Sequence, residues 1–398
     1  MSEFKGHCFT ELANFAGVTF AEAANFAGAT FSKGASFMGA TFTGRADFDE
    51  TTFAEAANFA GATFSEGASF MGATFTRRDD FDEATFAEAA NFAGATFSEG
   101  PSFMGATFTG RADFDEATFA GAANFAGATF VEANFGGATI SNWVSFAGAT
   151  FAEVDFDGAT FGHTVDFESA DFLVAKFHRA IFPETAIFYG ATFSGEANFG
   201  GATFPGEANF GGVTFGTVNF ACATFAEVDF DGATFSDAVD FKGAIFTEQA
   251  HFAGTTFAEA ADFADATFSK GASFMGATFT GKADFEGATF ESVADFVNSE
   301  MKCPTSFNRV VFKRVPPLFY GAKLHDGTTW FGVTWPPPRK DTAEVAVGAY
   351  EWLKHEMDSL KKHEDELSFF VLESEARRVL IGNWSTAHGI AIYIWITL

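Results

Sequence analysis

Phenylalanine returns along this chain with a fixed beat. It stands at Phe15, Phe20, Phe26, Phe31, Phe37, Phe42, Phe48 and Phe53, with steps that alternate five and six residues. The register opens at Phe4 and runs to Phe296. All 54 Phe of residues 1–299 fall on it, and Ile140 fills the one remaining slot. A ring that recurs so strictly needs a repeated inward pocket, because burying each one stabilises by on the order of 1.5–3 kcal/mol. A helix does not supply that pocket. At about 100° per residue, positions i, i+5 and i+11 fall into two stripes rather than one face. Recurrent glycine, at roughly 1 kcal/mol each, also opposes a helix. The spacing predicts a solenoid of short strands and turns, with Phe inward and its neighbours outward.

The residues around each Phe repeat as well. A small residue stands two before it, as at Ala13, Ala24, Ala29, Ala35 and Ala40. The residue just before is Thr after a five-step and Asn, Ser or Asp after a six-step. Glycine often stands two after, as at Gly17, Gly28, Gly39 and Gly61, where it accommodates the turn at each corner. The unit Ala-(Asn/Asp/Thr)-Phe-x-Gly resembles the pentapeptide-repeat family over about three quarters of the chain. It departs from that family in its six-residue step. The resemblance implies an all-β fold: a right-handed, quadrilateral parallel β-helix with four units per coil. Two five-steps and two six-steps then make a 22-residue coil, about 14 coils in all, and a rod of about 65 Å at roughly 4.8 Å per stacked strand. A flattened 11-residue coil with two Phe per turn is the alternative.

Steps of five dominate from Phe130 to Phe188 and from Phe210 to Phe235, so the rod is expected to narrow there. Trp143, His163, Lys176, Phe177, His178 and Arg179 decorate the first of these zones, either as drift at loops or as a local binding patch. The segment AANFAGATFSxGASFMGATFT recurs at 33 residues, with Phe26, Phe59 and Phe92 in register. Three times 11 is one and a half coils, which supports 11 as the structural half-unit. One column of a 22-residue coil would then hold Asn25, Asp47, Ser69, Asn91 and Asp113. Its aspartates stand three coils apart, about 14 Å, beyond the screening length of about 8 Å. Corner acids such as Glu22, Glu55, Glu66, Glu88 and Glu99 supply more of the charge.

The net charge is −29, and all of the excess lies in residues 1–299. That argues against direct nucleic-acid binding, since a phosphate backbone would be repelled, and it permits basic partners. Cys8, Cys222 and Cys303 are odd in number and far apart, which suggests a reducing compartment. The start MSEFKGHCF has no apolar run of a secretory signal. A cytoplasmic location, with the inner face of the plasma membrane as a further option, is expected. No nucleophile elbow, phosphate loop, dinucleotide fingerprint or zinc-protease motif is found. His355 and His363 lack the spacing of a zinc site. Asn383-Trp384-Ser385 matches a glycosylation sequon, read as chance. The expectation is no catalysis, no cofactor and no metal.

After Phe296 the rhythm fades. Residues 1–300 are read as the β-helix, and 301–338 as a cap and Pro-rich linker holding Trp330 and Trp335. Residues 339–382 are read as one long amphipathic helix opened by Asp341 and Glu344, and 383–398 as a hydrophobic tail. Tyr350, Leu353, Met357, Leu360 and Leu367 follow heptad spacing broken by Glu364, so residues 342–380 either lie on the rod or join two copies. The stretch AYEWLKHEMDSLKKHEDELSFF resembles the juxtamembrane helix of pentapeptide-repeat proteins that continue into membrane segments. The ten uncharged residues 389–398 are too few to span a bilayer but offer a membrane stub. Two functions follow as expectations. One is a non-catalytic scaffold for an unidentified protein partner, tethered to the inner membrane by the helix and tail. The other, implied by the family resemblance, is a duplex-DNA mimic that binds DNA gyrase.

Overall fold

The computed structural model describes residues 2–381. The expected tail, 383–398, and the sequon within it lie outside the described residues. The chain forms two compact units, Met1–Asp240 and Phe241–Leu398. Both are parallel β-solenoids, and they hold about 14 turns between them.

In the first unit the regular coil is four two-residue strands joined by corners. Ala46–Asp47, Thr52–Phe53, Ala57–Asn58 and Thr63–Phe64 make one such circuit. Each strand pairs in parallel with its counterpart 22 residues on: Ala46 with Ala68, Thr52 with Thr74, and Thr63 with Thr85. Pairing at 22 rather than 11 excludes the flattened coil. The inward Phe rings therefore lie directly over one another. Phe48 and Phe70 are 4.8 Å apart and parallel within 1°. The four ladders are not equivalent. Rings on six-step positions also meet across the axis edge to face, as Phe48 and Phe59 do at 5.5 Å and 88°. Offset and edge-on contacts favour the aromatic quadrupole as well as the burial.

The corner after each six-step Phe is a β-turn. Ala29 N–H donates to the Phe26 carbonyl at 2.9 Å, and Gly28 between them has φ +65°. Only glycine adopts that conformation without strain, hence its place two after Phe.

In the irregular zones the register shortens to 21 residues, with Thr129 opposite Thr150, and to 20, with Thr214 opposite Thr234. The residue is lost at a corner, where two strands run together as Thr129–Asn134 or Thr150–Asp155. The interior does not narrow. Phe125 to Phe135 across the axis is 5.6 Å and Phe210 to Phe220 is 5.7 Å. Ring packing sets the bore, and the corner absorbs the deletion.

In the second unit the ladder continues beyond residue 300. Thr278 pairs with Glu300 and Thr289 with Val311. Bridges then join Glu300 to Lys323, Ser306 to Thr329 and Val311 to Thr334, a 23-residue step. Met301 and Leu324 occupy inward slots, while Trp330 stacks on Phe307 at 4.6 Å and Trp335 on Phe312 at 5.5 Å. The two tryptophans are thus the last rung of the ladder.

Two helices cover that rung: α1, Ala343–Ser359, and α2, His363–Ile381. The single long helix expected from the heptads is broken at 360–362, where Lys361 turns into the left-handed region at φ +59°. Thr342, not Asp341, is the N-cap, and its side chain makes no cap hydrogen bond. The heptad face is turned inward. Tyr350, Leu353 and Met357 are buried within the unit, Leu360 is half-buried and Leu367 is exposed. The first three side chains are therefore not free to face a second copy. Phe369 of α2 meets Trp330 edge-on at 5.7 Å and Trp335 at 5.4 Å. Gly348 lets α1 lie against Tyr320, since a Cβ there would be 2.5 Å from the Tyr320 hydroxyl.

Candidate interaction surface

With Phe and Ala inside, chemistry is left to the outward positions, which the coil stacks in columns. Asn25, Asp47, Ser69, Asn91 and Asp113 are neighbours in one ladder, in the order expected from the 22-residue coil. The sequence alone suggests solvated outer faces for these residues. They are in fact half-buried or buried and carry a local role. Asn25 Oδ1 accepts the Ala27 N–H at 3.0 Å, and Asp47 Oδ1 accepts that of Asp49 at 3.1 Å. This turn recurs at Asn58, Asp80, Asn91 and Asn124. A short acceptor side chain bonding the backbone two residues on is why Asn and Asp are selected there. Asp49 and Asp82 bridge coils: each accepts the hydroxyl of Ser69 or Ser102 and a backbone N–H of Met71 or Met104.

The exposed charge sits at the corners. Arg77 bridges coils, reaching Glu99 at 3.0 Å and Glu55 at 3.7 Å. Glu66 and Glu88 follow one another one coil apart on the register of Ala68 and Ala90. Of the irregular-zone residues, Phe177 is fully buried in the ladder and Trp143 is partly exposed. The others are engaged locally. His163 meets Glu184 at 2.8 Å, and Lys176 meets Glu153 at 2.9 Å and Asp155 at 3.9 Å. The hydrogen bond to Glu153 holds the Lys176 ammonium above its usual range. Burial raises the carboxyl of Asp157, although the His178 N–H bonded to it at 2.8 Å opposes the shift. Arg179 occupies a glycine-type turn slot at φ +56°. These residues are spread around corners and columns, and the structure does not gather them into one cavity.

On the helices, Glu373 is buried and bonded by Lys354 at 2.6 Å and by Arg377 at 2.6 Å. Burial alone would raise its carboxyl, but those two cations hold it below the ordinary value. Asp358, His363 and Glu366 at the α1–α2 turn bring three donor atoms within 4.8 Å of one another, a grouping that sequence spacing did not reveal. His363 and Glu366 already form an exposed pair at 3.2 Å. Cys8, Cys222 and Cys303 are free thiols. Among the described residues no helix is long and apolar enough to cross a membrane.

One residue escaped the sequence reading. Asp79 stands two before Phe81, in the slot that is Ala at 46, 57, 68 and 90. It points inward and is fully buried. Its position in the repeat was the available signal.

A four-sided parallel β-solenoid with stacked Phe inside and acidic corners outside is the class of protein these features define. The family model for pentapeptide repeats, in nine copies, matches residues 9–52, 39–85, 77–118, 105–150, 132–171, 177–224, 220–267, 241–289 and 263–311. The chain belongs to the pentapeptide-repeat family. Among solved structures, a trypsin-treated variant of QnrB1, a plasmid-mediated fluoroquinolone resistance protein, is similar at 17% identity and a TM-score of 0.16. That match covers 63% of this chain and 88% of the other. No curated protein matches.

Proposed function

We propose that this protein is a non-catalytic acidic scaffold whose solenoid corners bind a basic protein partner. The observation that carries this reading is the fixed stacking of exposed acids, with Glu66 over Glu88 and Glu55, Arg77 and Glu99 in one column. Acids held at fixed corners, Glu66 over Glu88 and Glu55 and Glu99 on either side of Arg77, attract complementary surfaces and speed their encounter. They repel a phosphate backbone, so direct nucleic-acid binding is not part of the reading. Tethering to a membrane rests on the sequence of the helix and tail, 342–398, alone and is kept as an expectation for liposome binding of the full chain. The scaffold is tested by substituting Glu55, Glu66, Glu88 and Glu99 with Gln and comparing capture of proteins with that of the wild type. Loss of salt-sensitive capture supports the scaffold, and unchanged capture by the variant contradicts it.

The second reading is mimicry of duplex DNA toward a topoisomerase. Charge density favours it. Residues 45–110, three coils, hold eleven acidic and three basic side chains, a net −8 over about 14 Å. That is about one charge per 1.8 Å, against about 1.7 Å in duplex DNA. A gyrase supercoiling assay that shows neither inhibition nor protection removes this reading and leaves the scaffold standing.

A further inference from the structure

Asp79 occupies a slot built for a methyl group. Its strand column runs Ala13, Ala35, Ala57, Asp79, Pro101, Ala123. The residue is 0% exposed. Its Oδ1 accepts the Ala57 N–H at 2.7 Å, while Oδ2 is buried with no hydrogen-bond partner. In the coils before it, the equivalent N–H groups donate to a backbone carbonyl: Ala13 to Gly34 and Ala35 to Ala56, each at 3.2 Å. On that register the acceptor for Ala57 is the carbonyl of Arg78. The carboxyl of Asp79 has taken its place, and the two-residue strand shrinks to the single bridge Asn58–Asp80–Ser102. In the next coil Pro101 has no N–H to offer.

The charges facing Asp79 are few and peripheral. Arg77 is engaged by Glu55 and Glu99. Asp80 beside it is half-buried and accepts the N–H of Asp82. Arg78 is exposed and makes no ion pair among the described residues. A buried carboxylate without a cation is strongly disfavoured, so the acid either keeps its proton or leaves the interior.

We propose that Asp79 is a two-position latch. Protonated, it lies inside and holds the Ala57 N–H. Ionised, it releases its Oδ2 proton to solvent, swings outward to Arg78, and returns the Ala57 N–H to the Arg78 carbonyl of the regular ladder. The two states compete for one donor, which makes this strand position bistable rather than merely strained. Burial first, and the nearby negative charge of Glu99, push the Asp79 carboxyl up to about 7, against the opposing hydrogen bond from Ala57. The outward position is open only to the ionised acid, so the latch would turn over below that value and above the ordinary carboxylate range. Arg77 and Glu99 sit on the same corner, so the change would alter the outer charge pattern.

The test is the backbone amide resonance of Ala57 in the full chain, labelled with 15N-alanine and assigned by its loss in Ala57→Ser. The latch predicts that it moves between two positions from pH 4 to 9 with a midpoint above the ordinary carboxylate range and no higher than about 7. Asp79→Asn should hold it at the low-pH position and Asp79→Ala at the high-pH position. A resonance that stays fixed in the wild type, or moves equally in Asp79→Asn, overturns the proposal. Asp79→Ala restores the side chain of neighbouring coils, so the comparison survives if the Asn variant fails to fold.

Discussion

At the residue scale, each position in the repeat answers one physical demand. Phe59 is fully buried, stacked on Phe37 and Phe81 at 4.8 Å. Phe59→Ala should cost about 3–5 kcal/mol in chemical denaturation, since stacked coils offer little room to collapse. The turn slot makes a second demand. Glu50 stands at φ +55° where other coils have glycine. Glu50→Gly should stabilise by about 1 kcal/mol, and Gly28→Ala should destabilise by a similar amount, read as opposite shifts in melting temperature. No atom lies within 4 Å of the Cβ that Ala would add at Gly28, so the cost there is backbone alone. Asp79 sets a pH dependence. Its folded value is raised to about 7 from the ordinary 3.8, so between those values the folded state binds the extra proton. Stability should fall as pH rises from about 4 to 7, and melting curves of Asp79→Asn should lack that fall. The Phe register is legible in the sequence because ring and coil share one period. The turns made by Asn25 and Asp47 are not, because polar residues look alike whether they meet water or backbone.

At the scale of elements, the coil is legible and its ends are not. Phe steps of five and six add to the 22-residue register seen between Thr52 and Thr74. The ladder is lost to sequence reading after Phe296 because Met301, Leu324, Trp330 and Trp335 replace Phe and the step becomes 23. The heptads of Tyr350 to Leu367 continue across 360–362 and so conceal the break between α1 and α2. Those helices close the last rung, and Phe369 is the side chain that seals Trp330 and Trp335. Phe369→Ala should cost about 3–5 kcal/mol and shift tryptophan fluorescence to the red. The buried Glu373 clamp acts in the opposite pH sense to Asp79. Its carboxyl is held low by Lys354 and Arg377, so its stabilisation is present above the unfolded carboxylate value and is lost as pH falls through its folded one. Glu373→Gln should flatten the acid limb of melting curves that report on the helices.

At the scale of the whole molecule, the repeat commits nearly every inward position to packing and leaves function to the outside. The family and the acidic excess are legible in the sequence, but the partner is not. Recognition depends on which acids the corners bring into line, and that alignment follows from the register rather than from neighbours in sequence. If the aligned corner acids are the binding surface, they set the affinity of a captured partner for the wild type and for the chain with Gln at 55, 66, 88 and 99, measured side by side across salt concentration. The wild-type affinity should fall steeply with salt, and the variant, folded to the same circular dichroism spectrum, should bind at least tenfold more weakly with a shallower salt dependence. Equal affinity and equal salt dependence of the two would contradict this role of the corner acids.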